Sequence, residues 1–209
     1  MTENNKELRA YMCEVSTRAD EKHGDVLEGV PIVYDAETDI GGMWKEIIDR
    51  GALDQADLKD VRFLVNHDVD SIPLARSRNN NENSTMQMTV EPDGLHVRVD
   101  LDTEGNPRAK ELYSAIKRQD ISGMSFMFSV AKDGDRWEGL DTDYPTRHIT
   151  AFDKVFEVSA VTFPAYEQTS INARSLENGK ASLESAREAL ENARKVEELR
   201  KAIIERCKS

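Results

Sequence analysis

The 209-residue sequence predicts a mainly β fold with helices (α+β): an antiparallel barrel or curled sheet, then a C-terminal amphipathic helix. Three observations predict it. Short runs of alternating apolar and polar residues recur between Leu8 and Thr162. Only two stretches of that body, 43–50 and 107–119, carry helical spacing. From Ser175 the composition changes, and residues 176–206 hold no proline, no aromatic and a single glycine, Gly179.

The elements follow in order. Residues 8–16 read as a strand. Residues 26–34 read as a second, with Gly29 and Pro31 marking a bulge or an edge. Residues 43–50 read as a short helix stopped by Gly51. Residues 61–65 form a short apolar strand that runs into Asn66-His67-Asp68. Residues 77–84, with four asparagines, read as a polar loop. Residues 86–90 and 95–101 alternate on either side of Glu91-Pro92-Asp93-Gly94, the clearest hairpin in the chain.

Pro107 opens a helix over 107–119 with Ala109, Leu112 and Ile116 on one face. Met124, Phe126, Phe128 and Val130 alternate with Ser125, Met127 and Ser129, which predicts a strand with one apolar and one wet face. Residues 134–146 read as a polar loop, and 149–152 and 154–162 as strands ending at Phe163-Pro164-Ala165-Tyr166. In the tail, Leu183, Ala186, Leu190 and Ala193 are continued, after a slip in register, by Val196, Leu199 and Ile203. That thin stripe needs a partner to bury it. The chain divides into a body, 1–172, and a helical tail, 173–209.

Charge narrows the function classes. The chain carries a net −12, but residues 172–209 hold nine Lys/Arg and seven Glu, a net of +2, which leaves −14 for residues 1–171. So acidic a body argues against a nucleic-acid partner, which needs a basic patch. The two cysteines, Cys13 and Cys207, form no metal-ligand cluster and read as free thiols of a reducing cytoplasm. The polar N-terminus is not a signal peptide, and no apolar run reaches the ~18–20 residues of a membrane span. No membrane partner, metal or cofactor is expected.

Nucleophilic chemistry needs a base within reach and a group that orients it. Of the four histidines, His23 and His96 read as surface residues. His67 ends an apolar strand, a rigid platform opening onto a loop. Ser125 follows Gly123-Met124 at a strand start, where the small Gly123 leaves room for a substrate backbone. Taken alone, it fits a polar position on a wet strand face better than a nucleophile, and Ser122 competes for the nucleophile's role. Glu157 is an acid embedded in an apolar run, so it must be paired or hydrogen-bonded. It can orient a histidine, as can Asp153 or Asp68, although Asp68 adjoins His67 and points away from it in an extended chain.

Three ordered motifs then carry a resemblance. Asn66-His67-Asp68 with Pro73-Leu74-Ala75-Arg76 resembles "NHD…PLGR". Residues 122–128 resemble "SGMSFGF", and residues 157–165 resemble "EVSLVTFPA". These are hallmarks of the prohead proteases of tailed phages in the HK97 group, and the resemblance spans residues 7–170. It implies a fold similar to herpesvirus assembly proteases, a closed β-barrel surrounded by helices. It implies Ser125 as nucleophile, His67 as general base and Glu157 as third member of a triad. The implied substrates are scaffold or the scaffold-like segment of the major capsid protein, and the protease itself, inside the immature procapsid in the bacterial host cytoplasm. Two glycines of the pattern are replaced, by Met127 and Ala75. Met127 bears on the oxyanion site, and Arg76 is a candidate for positioning the loop there.

Two rival functions remain open at this stage: a non-catalytic scaffold or assembly factor with a protease-like fold, and an unrelated β-barrel binding module. The tail is expected to pack with scaffold helices, on its own body, or on a second copy in a homo-oligomer.

Overall fold

A computed structural model describes residues 6–12, 15–20, 24–162 and 173–206. His23, Cys13, Cys207 and the expected strand end at 163–166 lie outside the described residues. The described chain is α+β, three sheets and two helices.

The first sheet takes β1 (Lys6–Met12), β10 (Gly123–Val130), β13 (Phe152–Val161), β6 (Asp60–Val65) and β7 (Ala75–Arg78), in that spatial order. The second holds β2 (Val15–Asp20), β3 (Gly24–Val33), β9 (Gly94–Leu101) and β8 (Met86–Glu91). The third holds β11 (Asp135–Glu138), β12 (Thr146–Ile149), β5 (Trp44–Ile48) and β4 (Thr38–Ile40). Phe63, Phe126, Phe128 and Phe152 from the first sheet join Leu27, Ile32, Val97 and Val99 from the second in one core. Helix α1 (Pro107–Lys117) closes it with Ala109, Leu112 and Ile116, the face read from the sequence. The Asn106 side chain caps α1 by accepting from the Arg108 amide.

The hairpin of β8 and β9 and the bulge of β3 are as expected; the β3–β9 register shifts between Gly29 and Ile32. Gly94 is obligatory there, because a Cβ would lie 1.9 Å from the Ile32 carbonyl oxygen.

The closed antiparallel barrel is not found among the described residues. Two pairs, β6–β13 and β5–β12, are parallel. The first and second sheets approach at β7 and β8, but among the described residues one backbone–backbone bond joins them, from the Thr85 amide to the Arg76 carbonyl at 3.0 Å, and the other links run through side chains, as where Asn80 bonds the Met88 amide and carbonyl. β7 has only four residues, and left-handed Asn79 and Asn80 turn the chain away before a ladder can form.

The helix expected at 43–50 is also corrected, for these residues form β5. Trp44, Glu46 and Ile48 alternate inward, and the middle one is a charge. A buried carboxylate in the inward series hides a two-residue period. Glu46 is tolerated because Arg9 donates to both its oxygens, with Nη2 at 2.7 Å from Oε2, and Arg147 Nη1 lies 3.2 Å from Oε2. Residues 134–146, expected as loop, contain the short strand β11.

The tail is one helix, α2 (Ala173–Arg206), about 51 Å long at the usual rise. Its first half docks on the body. The Ser175 hydroxyl accepts from the Leu8 amide at 2.8 Å, and Trp137 Nε1 donates to Ser182 Oγ at 3.0 Å. A Cβ at Gly179 would lie 2.5 Å from the Trp44 ring, so glycine lets the helix axis come this close. Arg194 pairs with Asp141 at 2.7 Å. Beyond it Val196, Leu199, Ile203 and Ile204 are 46–65% exposed.

Candidate active site

Topology brings the expected residues to one margin of the first sheet. β13 runs antiparallel to β10 and parallel to β6. The start of β10 and the ends of β6 and β13 therefore share an edge. Ser125 is the cross-strand partner of Ser159, and Ser159 is level with Leu64. Paired residues share a face, and so do residues two apart on a strand. Ser125, Met127, Glu157 and Ser159 thus lie on one face, opposite to that of Phe126 and Val158.

His67 reaches this face by a turn. Asn66 and His67 both have positive φ, 51° and 58°, and the Asp68 amide donates to the Val65 carbonyl at 3.1 Å. Two successive positive φ values across such a bond mark a primed hairpin turn, in which asparagine is favoured at the first central position. Had β6 continued straight, His67 would have moved past the end of β13. The turn folds it back, so that Nδ1 lies 2.5 Å from Glu157 Oε1. Asn66 holds the turn: its amide donates to the Ala160 carbonyl, its side-chain oxygen accepts from the Thr162 amide at 2.9 Å, and Nδ2 donates to Thr162 Oγ1 at 3.0 Å.

Glu157 is 3% exposed, and both its oxygens are engaged. Oε1 faces His67; Oε2 accepts from the Ser159 hydroxyl at 2.6 Å. That same hydroxyl accepts from the His67 amide at 3.1 Å. A carboxylate only accepts, so the proton between it and the imidazole belongs to Nδ1, and in the neutral tautomer this selects, the lone pair is on Nε2. Among the described residues Nε2 has no hydrogen-bond partner.

The structure joins two of the three expected residues directly. Ser125 stands on the same face but does not hydrogen-bond His67. It is 1% exposed, and its hydroxyl donates to the Arg9 carbonyl at 2.7 Å. The wet strand face expected for Ser125 is corrected accordingly: β10 is covered on both sides. The alternatives for the third position go elsewhere. Asp68 accepts from Ser71 and lies 3.4 Å from Arg108, which hold its carboxyl below the usual range, and Asp153 accepts from Ser129 at 3.1 Å. Arg76 forks onto Asp60, at 2.6 and 2.8 Å. Met127 is the cross-strand partner of Glu157, and the ladder is irregular just after it.

A cleft of about 280 Å³ opens beside Glu157, lined by Lys6, Arg62, Leu64, Val69, Pro73 and Phe156 among others. It is of a size to take one large side chain. Away from this margin, Glu91, Asp93 and His96 bring ligand atoms within 4.8 Å of one another at the exposed hairpin turn, where His96 already bonds Asp93. Sequence reasoning missed Ser159 and the Asn66–Thr162 clamp. Ser159 was legible in principle, since it lies two residues beyond Glu157 on a strand and so shares its face.

Residues 13–182 match the sequence model of the caudovirus prohead serine protease. The chain is 31% identical over 182 residues to the prohead protease of Enterobacteria phage HK97, covering 86% of this chain and 72% of that protein. The solved structure of the bacteriophage T4 capsid assembly protease is similar at 14% identity and a TM-score of 0.36, over 76% of this chain and 99% of that one.

Proposed function

Because the chain belongs to the caudovirus prohead serine protease family, whose members are capsid-maturation proteases, we propose that it is a serine endopeptidase with Ser125 as nucleophile, His67 as general base and Glu157 as the group that orients the base. Its proposed substrates are scaffold or the scaffold-like segment of the major capsid protein precursor, and itself, inside the immature procapsid in the host cytoplasm. The observation that carries this reading is the 2.5 Å contact of His67 Nδ1 with the buried Glu157 carboxylate, on the face that also bears Ser125.

The chemistry is acyl transfer. The Ser125 hydroxyl turns from the Arg9 carbonyl to His67 Nε2 and gives up its proton as the oxygen attacks a peptide carbonyl. The imidazolium so formed is stabilised by Glu157, and it protonates the leaving amine. Backbone N–H groups near Ser125 or from a nearby loop hold the oxyanion. Water then releases the acyl group by the same proton route. The cleft lined by Leu64 and Phe156 receives a substrate side chain.

The burial of Ser125 and its bond to Arg9 favour a second reading, a non-catalytic assembly factor that keeps the fold. A fluorophosphonate probe separates the two, because it reacts only with an activated serine. Peptide mass spectrometry should find the adduct on Ser125 and none in His67→Ala. An unlabelled wild-type protein would favour the assembly factor.

A further inference from the structure

Ser159 is 0% exposed, and a buried hydroxyl must spend its hydrogen bonds within the fold. Both of its bonds go to the candidate active site. It donates to Glu157 Oε2 at 2.6 Å and accepts from the His67 amide at 3.1 Å. One atom therefore ties the end of β6 to β13 at the point where base and carboxylate meet. We propose that Ser159 is a positioning residue of this site: it fixes the Glu157 carboxylate so that Oε1 faces His67 Nδ1, and it holds the His67 backbone in its left-handed turn. The proposal rests on the assignment of Ser125, His67 and Glu157 given above.

Two features separate this role from ordinary packing. A carboxylate with one oxygen unbonded can rotate about its last torsion, and its lone pairs then lose alignment with the imidazole. Because Ser159 occupies Oε2, rotation costs a second hydrogen bond. The His67 backbone also sits at φ 58°, a region that disfavours a side chain, so something must hold it there. The Ser159 hydroxyl is the side-chain acceptor that its amide uses. Ser159 is not itself placed to attack. Its proton is directed to a carboxylate, and its contact with His67 is to the backbone, not to an imidazole nitrogen.

The test is Ser159→Ala, which removes one buried oxygen and leaves the strand geometry intact. The rate of fluorophosphonate modification of Ser125 is measured against probe concentration. The maximal rate should fall roughly 10- to 100-fold, as expected for a misplaced catalytic group, while the half-saturating concentration changes less than about twofold. Proton NMR supplies a readout that packing alone would not move. The deshielded Nδ1–H resonance of His67 should be present in wild type, absent in Glu157→Gln, and broadened or shifted upfield in Ser159→Ala. Ser159→Thr, which keeps the hydroxyl, should restore it.

A folded Ser159→Ala protein with unchanged maximal rate and unchanged resonance overturns the positioning role alone. An adduct found on Ser159 overturns it too, since the residue would then be the nucleophile. If wild type is not modified at Ser125 at all, the underlying assignment fails first.

Discussion

Asn66 and His67 adopt two consecutive left-handed conformations, a costly choice for residues that are not glycine. The structure offsets it with the Asn66–Thr162 clamp and the Ser159 bond to the His67 amide. Asn66→Ala should therefore cost about 1–2 kcal/mol, from the lost clamp and the poorer left-handed residue, and be seen as a lower Tm together with slower labelling of Ser125. Glu157→Gln keeps the size of the side chain but cannot stabilise an imidazolium. Turnover should drop roughly 10²–10⁴-fold, the range of general acid–base assistance, with the fold retained by circular dichroism. At this scale the sequence was informative where a residue type broke its surroundings. Glu157 stood out as an acid in an apolar run that had to find a partner, although the run itself left that partner open. Asn66 looked like an ordinary turn residue because its partner Thr162 is 96 residues away, whereas Ser159 showed its shared face with Glu157 but not its bond to His67, 92 residues away.

Elements show a different limit of sequence reading. The short strand β5 looked helical because Glu46 occupies an inward position. The reason lies in a buried network joining β1, β5, β11 and β12: Glu7, Glu46 and Asp135 against Arg9 and Arg147. Burial alone pushes the Glu46 carboxyl up, but the Arg9 and Arg147 guanidinium groups outweigh it and hold it below the ordinary 4.5. A carboxyl depressed in the fold contributes stability above its unfolded value, and that contribution is lost as pH falls through the folded one. Glu46→Gln should therefore lower stability near neutral pH by about 3–5 kcal/mol, the usual cost of breaking a buried ion pair. The gap between variant and wild type should narrow below pH 4.5, as chemical denaturation at a series of pH values would show. By contrast, β8, β9, α1 and α2 carry their hydrophobic period openly, and their boundaries were legible to within a few residues.

The whole molecule is an acidic body clasped by a long helix as far as Arg194, beyond which Val196, Leu199, Ile203 and Ile204 are exposed. Alternation and composition foretold strands followed by a tail helix, but not three sheets: the parallel pairing of β6 with β13 has no local signature. The tail stripe divides in space as in sequence. Ser175, Gly179 and Ser182 meet the body, whereas the residues after the register slip remain exposed. We propose that this distal end engages scaffold helices during assembly. Removing residues 196–209 should leave Tm within about 2 °C and Ser125 labelling unchanged, but should abolish incorporation into procapsids. Retained incorporation would assign that role elsewhere. The central claim, that Ser125 cleaves capsid precursor, is tested most directly by co-expressing this chain with the major capsid protein precursor of the same phage and reading intact masses. Wild type should yield a trimmed capsid protein, and Ser125→Ala the full-length one. Identical trimming with Ser125→Ala, or none with wild type, would contradict it.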